Sequence, residues 1–174
     1  GFVSLCTQDG FLDRWQLSTL PIRIVTVHPD GNRVAIFESD GFSVNRVSVW
    51  DWKTKTRLFA KRFRDSVISL SWSAKGSWLI IGNTSVDGIT ILDAFRGEAE
   101  KIFRNPPGIV SLALTGSSES SMITFGPSGV ILYTDTATGK ERARYSGVSD
   151  LSNPVILANN DRIAGYDNGS IYEV

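Results

Sequence analysis

The feature that most limits the fold is a repeat of about 42 residues. Asp51, Asp93 and Asp135 lie 42 residues apart, and each aspartate ends a run in which apolar and polar side chains largely alternate. A short polar turn follows each aspartate, and a further run rich in strand-forming residues follows the turn. A repeat of this length is typical of an array built from one small supersecondary unit.

Each unit contains three turns that separate four short strands. Gly88, Gly129 and Gly169 recur at nearly the same interval in Asp-Gly, Ser-Gly and Asn-Gly pairs, which supply the positive φ angles of tight hairpins. The runs 79–81 and 109–110 are apolar at successive positions, as expected for strands buried on both faces. The sequence therefore predicts an all-β chain of four-stranded antiparallel sheets that stack on one another, without helices between Asp51 and Asp135.

Two stretches of the first complete unit resemble blades of WD-repeat β-propellers: the turn 28–31 (His-Pro-Asp-Gly) and the strand 47–51 (Val-Ser-Val-Trp-Asp). The resemblance implies a ring of four-stranded blades whose loops dock protein partners. The later units replace Trp-Asp with Leu-Asp and Thr-Asp, and with His28 as the single histidine the buried Asp–His–Ser–Trp relay of that family cannot form in its usual way. Residues 133–141 are also similar to quinoprotein-type blades.

We assign residues 1–174 to a single β-propeller region that forms an incomplete arc of about four blades. Complete blades are predicted at 21–64, 65–106 and 107–147, with partial blades at 1–20 and 148–174. Residues 18–21 are too few for an outer strand, so the first partial blade is expected to lack one. Because an open arc exposes apolar faces at both ends, we expect a longer parent chain or another subunit to supply the remaining blades. A self-closed four-bladed ring is the alternative.

Composition narrows the partners and the compartment. The chain is 41% hydrophobic and 21% charged, which is typical of globular domains. Its 18 basic and 18 acidic side chains cancel, so no overall charge attracts nucleic acid or anionic membrane, and a nucleic-acid partner is not expected. No apolar run reaches the ~18 residues of a membrane span. The single cysteine, Cys6, cannot form an intramolecular disulfide, which favours a reducing compartment, and we expect the cytoplasm.

The sequence offers no catalytic, metal-binding or cofactor-binding constellation, so we predict that the protein is not an enzyme and needs no cofactor. His28 lies in a turn and is interpreted as structural. Cys6 lies in an apolar run and is expected to be a small buried side chain. The spacings typical of zinc and calcium sites or of phosphate-binding loops are absent. The repeated aspartates are interpreted as turn residues rather than a carboxylate array.

One cluster of charge stands out between residues 53 and 64. We expect these basic residues to lie on the outer strand of one blade and on the turn before it, where lysine and arginine discourage pairing with other strands. The alternative is a binding surface for an acidic partner or for RNA, because Trp52, Phe59 and Phe63 interleave with the cations. The candidate partner-binding residues are Lys53, Lys55, Arg57, Lys61, Arg62 and Arg64.

Three functions fit these features. The first, which we predict, is a non-catalytic protein–protein interaction scaffold of the WD-repeat type, within a larger chain or assembly. The alternative is a ligand-binding or enzymatic propeller, quinoprotein-like or a hydrolase, whose active residues lie outside this segment. The third is a purely architectural function, in which the domain forms one wall of a multi-subunit assembly. The identity of the partner and the total number of blades do not follow from the sequence.

Overall fold

A computed structural model describes most of the chain. The described residues are 1–8, 10–84, 88–103, 112–115, 118–125, 130–146, 152–156, 163–167 and 170–173. They form strands and turns, with no helix in any of these ranges. The predicted all-β class is therefore confirmed. The apolar pair 109–110 lies outside these ranges.

Three sheets have four strands each, and in all three the strands pair antiparallel in chain order. The first blade contains β3 (Ile22–Val27), β4 (Arg33–Ser39), β5 (Asn45–Asp51) and β6 (Arg57–Phe63). The second blade contains β7 (Val67–Trp72), β8 (Trp78–Asn83), β9 (Ile89–Asp93) and β10 (Ala99–Phe103). The third blade contains β11 (Leu112–Thr115), β12 (Ser121–Phe125), β13 (Ile131–Asp135) and β14 (Glu141–Tyr145).

Two smaller sheets stand before and after these blades. The N-terminal hairpin pairs β1 (Phe2–Thr7) with β2 (Gly10–Gln16). The last sheet contains β15 (Ser152–Ile156), β16 (Ile163–Asp167) and β17 (Ser170–Glu173).

The sheets bury both of their faces against their neighbours. In β4, Ala35 and Phe37 pack into the core shared with the second blade, whereas Val34 and Ile36 pack against the N-terminal hairpin. In β8, Leu79 and Ile81 join the core shared with the first blade, and Ile80 joins a separate core that contains Met122 of the third blade. Side chains alternate across a strand, so an uninterrupted apolar run fills two cores at once, as the sequence predicts.

The first strands of the three blades lie side by side. β7 contacts both β3 and β11, while most side chains of the outer strands β6, β10 and β14 are exposed. Four-stranded antiparallel sheets whose first strands meet and whose last strands face solvent are the blades of a β-propeller.

Contacts between blades show which positions the N-terminal hairpin occupies. Phe59 of β6 packs on the turn at Gly97 in the second blade, and Phe103 of β10 packs on the turn at Gly139 in the third. Trp15 of β2 makes the corresponding contact with the turn of the first blade, where Lys55 Nζ lies 4.8 Å from the centre of its ring. β2 thus holds the position of an outer strand and β1 that of a third strand. The contact between Trp15 and Lys55 thus argues against the expectation that the 1–20 segment lacks its outer strand.

In the described part of the chain, no helix is long and apolar enough to cross a membrane.

The contact between Phe59 and Gly97 predicts a difference between two glycine substitutions. Gly31 and Gly97 both have φ near 70°, but a Cβ atom on Gly31 meets nothing within 4 Å, whereas one on Gly97 would lie 2.4 Å from Phe59 Cδ2. Gly31→Ala should lower the free energy of unfolding by about 1–2 kcal/mol through backbone strain alone. Gly97→Ala should cost at least about 1 kcal/mol more, because Phe59 must move. Urea unfolding followed by tryptophan fluorescence measures both, and equal losses would contradict this packing.

Candidate partner-binding surface

The predicted basic residues lie along the outer edge of the first blade. β6 alternates between half-buried residues that face the second blade, Phe59 and Phe63 among them, and exposed residues on the other face. Lys61 shares the half-buried face, whereas the other five cations are exposed. We call these five exposed residues the basic edge: Lys53, Lys55, Arg57, Arg62 and Arg64.

Most of the positive charge on the basic edge is not neutralised. Lys55 Nζ lies 2.7 Å from Asp13 Oδ2 of β2, and its hydrogen bond holds the pKa of Asp13 below the usual value. Arg57 lies 5.8 Å from the centre of the Trp50 ring. Within the described ranges, Lys53, Arg57, Arg62 and Arg64 form no salt bridge. Four cations therefore lack a salt bridge with a described carboxylate, although the charge of Lys53 helps to lower the pKa of Asp51.

The aromatic residues that interleave with the basic edge belong to the cores instead. Phe59 and Phe63 pack against the core between the first and second blades, and Trp52 packs beside Trp15 of the hairpin. A base-stacking platform needs an exposed aromatic face, and these three rings are half-buried. The structure therefore gives no support to the RNA-binding alternative.

The same strand also carries the features of a protected sheet edge. β6 pairs with β5, and no second described strand pairs with it. Its register shifts opposite Val49 and Trp50, which leaves Leu58 unpaired and 45% exposed. A bulge and exposed cations both discourage another chain from adding a strand at a free edge. A partner at the basic edge is thus expected to contact side chains rather than the backbone.

The three repeated aspartates have one shared role in the turns. Oδ1 of Asp51, Asp93 and Asp135 accepts a backbone N–H from the residue three positions later, at 2.7, 2.6 and 2.7 Å. One residue further on, the backbone has positive φ in all three turns, at Lys55, Gly97 and Gly139. The backbone N–H of Thr54 lowers the pKa of Asp51. These contacts agree with the structural interpretation of the aspartates.

His28 joins the first two blades. Its buried ring lies edge-on to Trp72, with the ring centres 4.7 Å apart, and Nε2 is 2.9 Å from the carbonyl oxygen of Gly76 in the second blade. Nδ1 lies 2.7 Å from Asp30 Oδ1, and Arg33 contacts both Asp30 and the carbonyl oxygen of Ala94. These contacts give His28 a place at the interface between two blades.

Cys6 differs from its predicted environment. The thiol is free and exposed on β1, whereas the apolar run around it predicts burial. Ser4 and Cys6 lie on the face of β1 opposite to Val3 and Leu5; Val3 packs against the first blade, whereas the face with Cys6 is exposed. Among the residues that the structure describes, no group of three or more histidine, cysteine or acidic side chains is placed to hold a metal ion.

A further exposed feature was missed by the sequence analysis. The turn between β4 and β5 presents Phe42, whose side chain is 95% exposed. Asp40 Oδ1 accepts the backbone N–H groups of Phe42, Ser43 and Val44, each at 2.9 Å. The Asp-Gly pair at 40–41 is a recognisable turn signal, but nothing in the sequence distinguishes an exposed phenylalanine from a buried one.

Residues 1–174 match the family described as an N-terminal beta-propeller domain. This chain belongs to that family, TP_0598_N. The match confirms the predicted propeller, while the finer resemblance to WD-repeat or quinoprotein blades stays a prediction.

One relative of the chain is an uncharacterized protein of Treponema pallidum (strain Nichols). It is 37% identical to this chain over 175 residues, which cover 100% of this chain and 28% of the relative. The chain thus spans just over a quarter of the length of that relative.

The contacts of Asp30 predict a dependence of stability on pH. Burial acts to raise the pKa of Asp30, but the N–H of Asn32, the guanidinium of Arg33 and the ring of His28 outweigh it and lower the pKa to about 2. A carboxylate whose pKa is lower in the folded state stabilises that state above its unfolded pKa of 3.8, and this contribution is lost as the pH falls toward 2. Asp30→Asn should therefore be less stable at neutral pH and should lose less stability between pH 4 and pH 2. Urea unfolding across this range measures both effects, and parallel curves would contradict the assignment.

Proposed function

We propose that this domain is a non-catalytic protein–protein interaction scaffold that binds an acidic partner through the basic edge. The observation that carries the proposal is the row of four exposed cations without a salt bridge among the described residues. They lie on and beside a strand that a packed sheet holds in place, so little conformational entropy of the backbone is lost when a partner binds. We further propose that the protein acts in the cytoplasm, which fractionation of the native host would test.

The chemistry of the basic edge favours carboxylate-rich protein surfaces. Arg57, Arg62 and Arg64 each present a planar guanidinium that can bind a carboxylate through two hydrogen bonds. Cations that stay partly exposed accelerate association and make it sensitive to salt more than they add affinity. We therefore expect a partner that binds rapidly and is released as ionic strength rises.

A matched pair of variants tests this function. Fluorescence anisotropy with a labelled glutamate peptide of about 12 residues should show binding that weakens about fivefold or more in Arg62→Ala/Arg64→Ala, because two exposed charges are worth about 1 kcal/mol together. Arg142→Ala/Arg144→Ala is the control, since these arginines lie on the outer strand of the third blade and already pair with Asp135 and Glu141.

The control should change binding less than twofold. Equal losses in both variants would contradict a specific role for the basic edge. Tighter binding of a labelled oligouridylate of the same length would instead favour a nucleic-acid partner.

We also propose that further β-strands, from a longer chain or another subunit, cover the open face of the first blade. Val25 and Val27 of β3 are 44% and 59% exposed, although β3 is an inner strand. Together with Val3 and Leu5 of the N-terminal hairpin they line an open groove of about 170 Å³. The inner strand β7 of the second blade has no such exposed face, because β3 covers it. The greater length of the Treponema relative supports a source in the same polypeptide.

Thiol labelling tests whether strands cover this groove. In a Cys6→Ser background of the full-length polypeptide, a Val27→Cys thiol should react with maleimide at least about tenfold more slowly than a Phe42→Cys thiol, because buried thiols are shielded from the reagent. Phe42→Cys is the control for full exposure. Equal rates at the two positions would show that the groove stays open.

A further inference from the structure

The turn at Phe42 combines full exposure with a fixed backbone. A single exposed apolar side chain is ordinary on a protein surface. In this case, however, several hydrogen bonds fix the backbone that carries the side chain. Besides the three backbone N–H groups that Asp40 Oδ1 accepts, the hydroxyl of Ser43 donates to Asp40 Oδ2 at 2.8 Å. These bonds hold the pKa of Asp40 far below its usual value.

The flanks of the turn are fixed as well. Gly41 has a φ of 85°, and its N–H donates to Ser39 Oγ at 2.9 Å. Ser39 Oγ in turn donates to Asn45 Oδ1 at 2.9 Å. The phenyl group therefore projects from a turn whose backbone N–H groups all have hydrogen-bond acceptors, so binding there would not have to order the loop first.

The strand register places this turn at the same end of the first blade as part of the basic edge. Asn45, directly after the turn, pairs with Phe63 at the end of β6, and Arg62 and Arg64 stand on either side of Phe63. Phe95, another exposed aromatic residue, lies in a turn between third and fourth strands. In an antiparallel meander such turns lie at the opposite end of the sheets.

We propose that Phe42 is the apolar anchor of the partner that binds the basic edge, and that it enters an apolar pocket bordered by carboxylates. The inference rests on the proposed function, because Arg62 and Arg64 define the charge that the partner must carry. An aromatic side chain that is fixed in advance and becomes fully buried on binding is the usual source of a dominant contact, whereas exposed charges around it contribute less. The partner is thus an acidic protein surface with an exposed apolar cavity.

An anionic membrane fits this end of the blade less well than a protein does. Membrane-binding surfaces present a broad apolar face with basic residues around it. Here one phenyl group stands beside the carboxylate of Asp40. Inserting Phe42 into a bilayer would bring this carboxylate close to the anionic headgroups. A protein pocket can accept the phenyl group and leave Asp40 in water.

Selection of displayed peptides tests the proposal. Random peptides of about 12 residues are selected on the wild-type protein, and the binding of each recovered peptide to the variants is then measured. The recovered peptides should combine acidic residues with an aromatic or aliphatic residue, and Phe42→Ala should bind them at least about tenfold more weakly. Phe95→Ala is the matched control and should change their binding less than twofold. Circular dichroism should show both variants folded, since both side chains are exposed.

Two further measurements separate the possible outcomes. Asp40→Ala keeps the phenyl group but removes the hydrogen bonds that fix the turn. Its affinity for the selected peptides should therefore lie between those of wild type and Phe42→Ala. The glutamate peptide has no apolar residue, so it should bind Phe42→Ala and wild type alike.

Three results would overturn the inference. Peptides that depend on Arg62 and Arg64 but not on Phe42 would leave the proposed function standing and remove the anchor. Failure to recover any peptide sensitive to Phe42→Ala would also remove it. Binding to phosphatidylglycerol vesicles that depends on Phe42, without peptide binding, would replace the protein partner with a membrane.

Discussion

Apolar contact on both faces of the second strands holds these blades together. β4 is buried at every position and β8 at every position after Trp78, and in each strand successive side chains fill two different cores. A sheet with two apolar faces is not stable in water by itself, because each face must be covered by a neighbour. The stacking of neighbouring sheets therefore decides the position of every other element.

This stacking also decides where side chains remain free to bind. The second strands are enclosed, so most exposed charge lies on outer strands and turns, with Arg23 on the open face of β3 as an exception. The first blade carries its cations on β6 and beside it, and the third blade carries arginines on β14 that are paired with local carboxylates. The difference between these two outer strands lies in the neutralisation of charge rather than in backbone geometry. For this reason the basic edge stands out as a surface, while the equivalent strand of the third blade does not.

The fold was largely predictable from the sequence, because a repeat of 42 residues and alternation at every second position leave few architectures. The environment of single side chains was less predictable. The apolar run at Cys6 does not show that one face of β1 is left exposed. Alternation within β6 does not show that Phe59 and Phe63 face a neighbouring blade. Phe42 is exposed because of hydrogen bonds centred on Asp40, which no periodicity encodes. The basic residues were found by their density, but their lack of acidic partners depends on the folded chain.

The packing of an aromatic ring on the turn of the next blade has a consequence for how such a chain can evolve. Phe59 on Gly97 and Phe103 on Gly139 form the same joint twice, and Trp15 beside Lys55 forms a variant of it. Because each of the first two blades carries both halves of the joint, a duplicated blade brings with it a ring for the following neighbour and a turn for the preceding one. Blades can thus be gained or lost whole without a new interface having to arise.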